Sequence, residues 1–252
     1  IQLGLEEDAC REVSDKGHER VYVTDRLGMP LVEIVTYPDM KTPDEVAEAG
    51  NYLRYLTRST GLVNTGMGAA REDVNVSITG GTRVEIKGVA HIKLIPELTH
   101  NEAFRQKALI EIKKILNKQI KNIDKWNINH KKINALLKDS DSPVIKDALQ
   151  KKYTVMAVNL PHFKNLLSFF TSPSRMFADE ISDKIKVIAC IPKPNMTHSE
   201  SLESLISANE WTSIYSELNS TSEDAQIIFW GSNEDIKTAI ETIEERCRLA
   251  FQ

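Results

Sequence analysis

The chain has 252 residues, 41% of them hydrophobic, and a formal net charge of −4 at pH 7. It is long enough to bury a real core as one large or two modest domains. No apolar run approaches the roughly 18 residues of a membrane span and no signal peptide opens the chain, so a soluble cytoplasmic protein with no membrane partner is expected.

Cys10, Cys190 and Cys247 are far apart and form no C-x-x-C pair, which fits reduced thiols. The charge is segregated: residues 101–152 hold 13 Lys/Arg against 6 Asp/Glu, a local +7 that leaves −11 elsewhere. A basic segment of this kind suits nucleic acid, and equally the solvated face of a Lys-rich helix. The first residue is Ile1, so a piece of a longer protein is expected, one whose sites lack partners from the missing ends.

In chain order, a strand is expected over 20–24, then a short apolar run, Leu31-Val32-Glu33-Ile34-Val35, bounded by Gly28-Met29-Pro30 and Tyr37-Pro38-Asp39. That run reads as a buried strand with a carboxylate in its middle. Burying Glu33 is costly unless it is paired, protonated or bound to metal. Either the strand is an edge with Glu33 in solvent, or Glu33 holds a hard cation such as Mg²⁺ with a second carboxylate from Glu6, Glu7 or Asp8. Thr42-Pro43-Asp44-Glu45 has capping-box spacing with proline at the first helical position, and predicts a helix that Gly61 stops. The stretch 65–70 is glycine-rich and forms either a connection or a close approach to phosphate, without matching the phosphate-loop pattern.

The chemistry concentrates in residues 71–87. Val74, Val76, Ile78, Val84 and Ile86 alternate with Asp73, Asn75, Ser77, Arg83, Glu85 and Lys87, which predicts two strands with one apolar and one polar face. The apolar rows coincide when paired numbers sum to an even value, such as Ile78 with Val84 and Val76 with Ile86, so an odd-length loop carries Gly80 and Gly81. Asn75 then lies near Lys87 and Ser77 near Glu85. A second capping-box spacing, Thr99 to Glu102, predicts a long helix with Phe104, Ala108, Ile112, Ile115 or Leu116, Ile120 and Ile123 on one side. Beyond a connector at 139–143 and a short helix at 144–150, the texture becomes α+β: strands at 154–158 and 225–231, a helix at 200–208 and a final helix from Asn233. His162 and His198 have no partner at metal-like spacing, which favours structural or surface roles.

Leu5-Glu6-Glu7-Asp8-Ala9, Asp25 through Val35 with Pro38-Asp39, Arg71-Glu72-Asp73-Val74-Asn75-Val76-Ser77 and Arg83-Val84-Glu85-Ile86-Lys87 occur in the order and rough spacing of the B/E-type subunits of tRNA-dependent amidotransferases, which the chain resembles. Leu160-Pro161-His162-Phe163, Leu166-Leu167 and the stretch 175–183 are similar to the GAD-like insertion domain shared with bacterial-type aspartyl-tRNA synthetases, a mark of the archaeal E branch. The resemblance implies an α+β fold: a partial catalytic cradle with antiparallel sheet at 1–120, a helical connector at 121–150 and a GAD-like insertion domain at 151–252. It implies a carbon–nitrogen ligase subunit of the glutaminyl-tRNA synthase (glutamine-hydrolysing) type. With ATP and Mg²⁺ such a subunit phosphorylates the γ-carboxylate of the glutamate on Glu-tRNA(Gln). Ammonia from a D-type, asparaginase-like amidase subunit, its partner in a heterotetramer, then displaces phosphate. By position Glu7 and Glu33 match the metal carboxylates and Asp73 a polar residue on the ammonia route. Asn75, Glu85 and Lys87 share the motif block, with Lys87 expected near phosphate or an acid, and Glu85 and Asp73 holding or deprotonating ammonia. No residue is assigned to ATP. The family's N-terminal glutamate and histidine, its tRNA-gripping tail and the return of the chain into the cradle have no match here, so the polypeptide alone is expected to be inactive. The alternatives are a non-catalytic tRNA-binding or scaffold module, and an α+β fragment without a nucleic-acid role. Intact Glu7, Glu33, Asp73 and Lys87 favour catalysis.

Overall fold

Strand β1 (Gln2–Glu7) pairs antiparallel with β4 (Pro30–Val35), and between them β2 (Arg11–Lys16) and β3 (Glu19–Val23) form a separate hairpin. The computed structural model to which these elements belong describes residues 1–66 and 69–252. Met67 and Gly68, in the glycine-rich stretch, lie outside the described residues. Two units emerge: Ile1–Asp15 with Arg20–Lys107, and Lys16–Glu19 with Ala108–Gln252.

In the first unit, helix α1 (Pro43–Ser59) begins where the capping box predicts. Glu45 N–H donates to Thr42 Oγ1 at 3.3 Å and Thr42 N–H to Glu45 Oε2 at 3.0 Å, which satisfies two of the orphan donors of the first turn. Strands β5 (Glu72–Val76) and β6 (Val84–Val89) form the central hairpin. Its apolar face, Val74, Val76 and Val89, packs with Ile95, and Val46 and Ala47 of α1 close the small core. Helix α2 (Ile95–Gln119) starts a turn before the Thr99 spacing predicts. Ile95 is fully buried in that core, and Pro96 fits a first helical turn because it needs no N–H partner there. Thr99 is therefore inside the helix, with its hydroxyl buried and unpartnered rather than capping. Phe104 is exposed; from Ala108 the helix belongs to the second unit, where Ala108, Ile112 and Leu116 are buried as the helical spacing predicts.

The second unit is built on an antiparallel sheet in the order β11–β12–β8–β7, namely β7 (Asn129–Lys132), β8 (Thr154–Leu160), β11 (Met196–His198) and β12 (Ala225–Gly231). The stretch 121–150 supplies edge strand β7 as well as helix α3 (Pro143–Gln150). Every residue of β8 and β12 is buried, as expected of central strands covered on both faces. Met156, Val158 and Leu160 with Ile227 and Phe229 face one layer, formed with α4 (Phe177–Ile188) and α6 (Ile236–Leu249). Val155, Ala157, Ile228 and Trp230 face the other, with α3 and α5 (Ala208–Leu218). Each such Val, Ile or Phe contributes about 1.5–3 kcal/mol relative to exposure. A two-stranded pair, β9 (Phe170–Ser172) with β10 (Arg175–Met176), precedes α4. The helix expected at 200–208 lies instead at 208–218, because Ser207 and Glu210 make the capping box that starts it: Glu210 N–H donates to Ser207 Oγ at 3.3 Å.

Candidate functional site

The hairpin register pairs Val76 with Val84, Asn75 with Glu85 and Val74 with Ile86. Compared with the expected pairing of Val76 with Ile86, one strand is displaced by two residues. The sums stay even, so the two faces are the predicted ones, but the neighbours change: Asn75 faces Glu85, not Lys87, and Ser77 lies beyond the ladder. Residues 77–83 form the odd-length loop, with a turn closed by Gly81 N–H donating to Ile78 O at 2.9 Å. Gly80 supplies the positive φ of +83° that the third turn position demands. At the other end the register shifts by one between Glu72 and Val74, so that Lys87 and Gly88 both oppose Asp73. Gly88, at φ +70°, donates its N–H to Asp73 Oδ1 at 2.7 Å.

That bulge gathers four candidate residues on one exposed face. Lys87 Nζ lies 3.1 Å from Glu85 Oε2 and 3.6 Å from Asp73 Oδ2, and Arg83 donates to Asn75 Oδ1 at 3.0 Å. The hydrogen bond to Glu85 first, then the charges of Glu85 and Asp73, raise the Lys87 pKa. Lys87 is therefore held as a cation at neutral pH. On the hairpin's other face Glu72 is half-buried beside Gly50 of α1, and burial, opposed by the charge of Arg54, raises its pKa.

The ribbon β1–β4 carries the other two candidates. Directly opposed residues share a face. Gly4 opposes Glu33 and Glu6 opposes Leu31, so Glu6 and Glu33 lie on one face, whereas Glu7, opposite Pro30, lies on the other. Glu7 and Glu33 are both exposed, so Glu33 is not a buried carboxylate in need of a partner. Asp8 is committed elsewhere: it accepts from Arg71 at 2.8 Å and lies 3.5 Å from Arg26, and the Arg71 hydrogen bond holds its pKa below the usual range. Among the described residues no group of three or more His, Cys, Asp or Glu is arranged to hold a metal. Mg²⁺ keeps most of its water and asks for only one or two protein carboxylates, which Glu33 and Glu6 fit by face and chemistry.

The sequence reading missed Arg83 as the partner of Asn75, Arg71 as the partner of Asp8, and Gln106, which is buried on α2 and hydrogen-bonded to the hairpin. A polar residue three positions after Ala103 on the packing side of a helix was the available signal. His162 is exposed and His198 is buried on edge strand β11, where burial lowers its pKa; neither gathers metal-binding neighbours among the described residues. No helix of the described residues is long and apolar enough to cross a membrane.

Residues 1–183 match the family described as GatB/GatE catalytic domain. Proteins named as the E subunit of glutamyl-tRNA(Gln) amidotransferase, from Sulfolobus acidocaldarius, Sulfurisphaera tokodaii and Saccharolobus solfataricus, are 37%, 36% and 35% identical to it, over 99% of this chain in each case. The chain spans about 40% of the length of these relatives.

Proposed function

The chain belongs to the GatB/GatE catalytic-domain family, and on that premise we propose that it is part of an E-type subunit that converts Glu-tRNA(Gln) to Gln-tRNA(Gln). The observation that carries this reading is the hairpin face, where Lys87 bridges Glu85 and Asp73 beside Asn75. A carboxylate is a poor acyl donor to ammonia; transfer of the ATP γ-phosphoryl group to the tRNA-bound glutamate γ-carboxylate makes it a good one, and phosphate then leaves as the C–N bond forms. Lys87 offsets the phosphate charge. Asp73 and Glu85 orient ammonia and accept its proton, and Asn75, steadied by Arg83, offers a neutral contact to the same substrate.

Glu33 and Glu7 are proposed as Mg²⁺ carboxylates by their place in the motifs, with Glu6 as the competing second donor because it shares the face of Glu33. Bound Mg²⁺ would neutralise triphosphate charge. The partner is a D-type, asparaginase-like amidase in a cytoplasmic heterotetramer. The organisation proposed is a catalytic cradle over 1–120, a connector over 121–150 and a GAD-like insertion domain over 151–252, with this chain inactive by itself.

The test uses the complete subunit with its amidase partner and follows ATP-dependent formation of Gln-tRNA(Gln). Glu33→Gln should abolish phosphorylation while tRNA affinity stays within about threefold; an active variant removes Glu33 as a metal ligand. Glu7→Gln and Glu6→Gln decide the second donor by which of them raises the Mg²⁺ concentration needed for half-maximal activity. Asp73→Asn should retain phosphoryl transfer and impair amide formation, and equal loss of both steps would count against its place on the ammonia route. No conversion by an intact, tRNA-binding wild type would sink the whole reading.

A further inference from the structure

Gln106 lies in the first half of α2 and is 5% exposed. Its Nε2 donates to the Val76 carbonyl at 3.0 Å and to Glu102 Oε1 at 3.0 Å, while its Oε1 accepts the Ile78 N–H at 3.1 Å. All three bonds demand one amide orientation, since the flipped group would set an oxygen against two acceptors. In an extended chain the C=O of one residue and the N–H two residues later point the same way, the pair that a single residue of a parallel neighbour engages through its own N–H and C=O. The carboxamide therefore takes the place of one residue's N–H and C=O on a strand that is not there. Gly81 permits this, because a Cβ at that position would overlap Gln106 Oε1 and stand 3.4 Å from its Cδ.

Both anchored backbone groups sit where β5 leaves the ladder, and a slip of one residue there would turn Asp73 and Asn75 to the apolar side. We propose that Gln106 is a positioning residue for amidation: it fixes β5 along its axis and so keeps Asp73 and Asn75 in place against Lys87 and Glu85. The proposal rests on the amidotransferase reading above, and its test separates the two.

In the complete subunit with its partner, Gln106→Leu should lower kcat for Gln-tRNA(Gln) formation about 10- to 100-fold per folded molecule, with KM for the aminoacyl-tRNA within about threefold. Gln106→Glu loses both donors when ionised and regains one, for the Val76 carbonyl, when protonated, so its activity relative to wild type should rise in part as pH falls from about 8 to 6. Gly81→Ala should impair kcat alone but add little to Gln106→Ala, which vacates the space. Amide exchange at Ile78 should accelerate in Gln106→Leu. Unchanged kcat per folded molecule in Gln106→Leu, or additive effects in the Gly81 cycle, would overturn the positioning role. If wild type forms no Gln-tRNA(Gln), the amidotransferase reading fails while Ile78 exchange still decides the clamp: faster exchange in Gln106→Leu supports it, and unchanged exchange overturns it.

Discussion

Lys87 holds its ammonium between two carboxylates on an exposed face, where ion pairs contribute little to stability. The opposite case is Glu72, one residue before Asp73 and on the other side of the strand. Its pKa is raised by burial, so the folded state binds its proton more tightly than the unfolded chain does. The sign follows from linkage: no penalty exists below the usual glutamate range, and stability is lost as pH rises through the folded pKa. Glu72→Gln should therefore stabilise the chain against urea at about pH 7 and leave it nearly unchanged at about pH 3, where the carboxyl is protonated in both states. Equal effects at the two pH values would show that packing against Gly50, not ionisation, sets the cost. The alternation of residues 73–77 and 83–87 made both faces legible in the sequence. The charge state of Glu72 was not legible, because it depends on Gly50 and Arg54 of α1, 22 and 18 residues earlier in the chain.

At the scale of elements, local signals succeeded where the chain satisfies its own backbone. The Thr42 box starts α1, and Thr42→Ala should cost about 1 kcal/mol in urea denaturation, with Ser at that position restoring most of it. An unchanged midpoint would mean that α1 is held by its packing on the hairpin instead. The Thr99 box has the same residue spacing and caps nothing, because Ile95 had a core to enter and drew the helix start back by a turn. The register of β5–β6 was likewise beyond local pattern. Even-sum pairing leaves several registers with identical faces, and the choice among them comes from the Ile78–Gly81 turn, the Gly88 bulge and the Gln106 amide.

Across the whole molecule, burial is unevenly shared. In the second unit β8 and β12 are buried along their full length, whereas in the first the apolar side of the β1–β4 ribbon leaves Leu3, Leu5 and Val32 exposed at 73%, 85% and 68%. Local opening free energy follows buried apolar contact, so amides of Val155, Ala157, Ile227 and Ile228 should exchange slowest and those of Leu3, Leu5 and Val32 among the fastest. Comparable protection of β1 and β8 by mass spectrometry or NMR would contradict this. By itself the sequence determined the α+β class, the two faces of the central hairpin, the start of α1 and the family, because these depend on residue order, on periods of two and of 3.6, and on motif blocks with specific spacing. Only the tertiary structure decided the hairpin register, which face of the β1–β4 ribbon each glutamate occupies and where α2 begins. Those depend on contacts between residues distant in the chain, whose burial outweighs local preference.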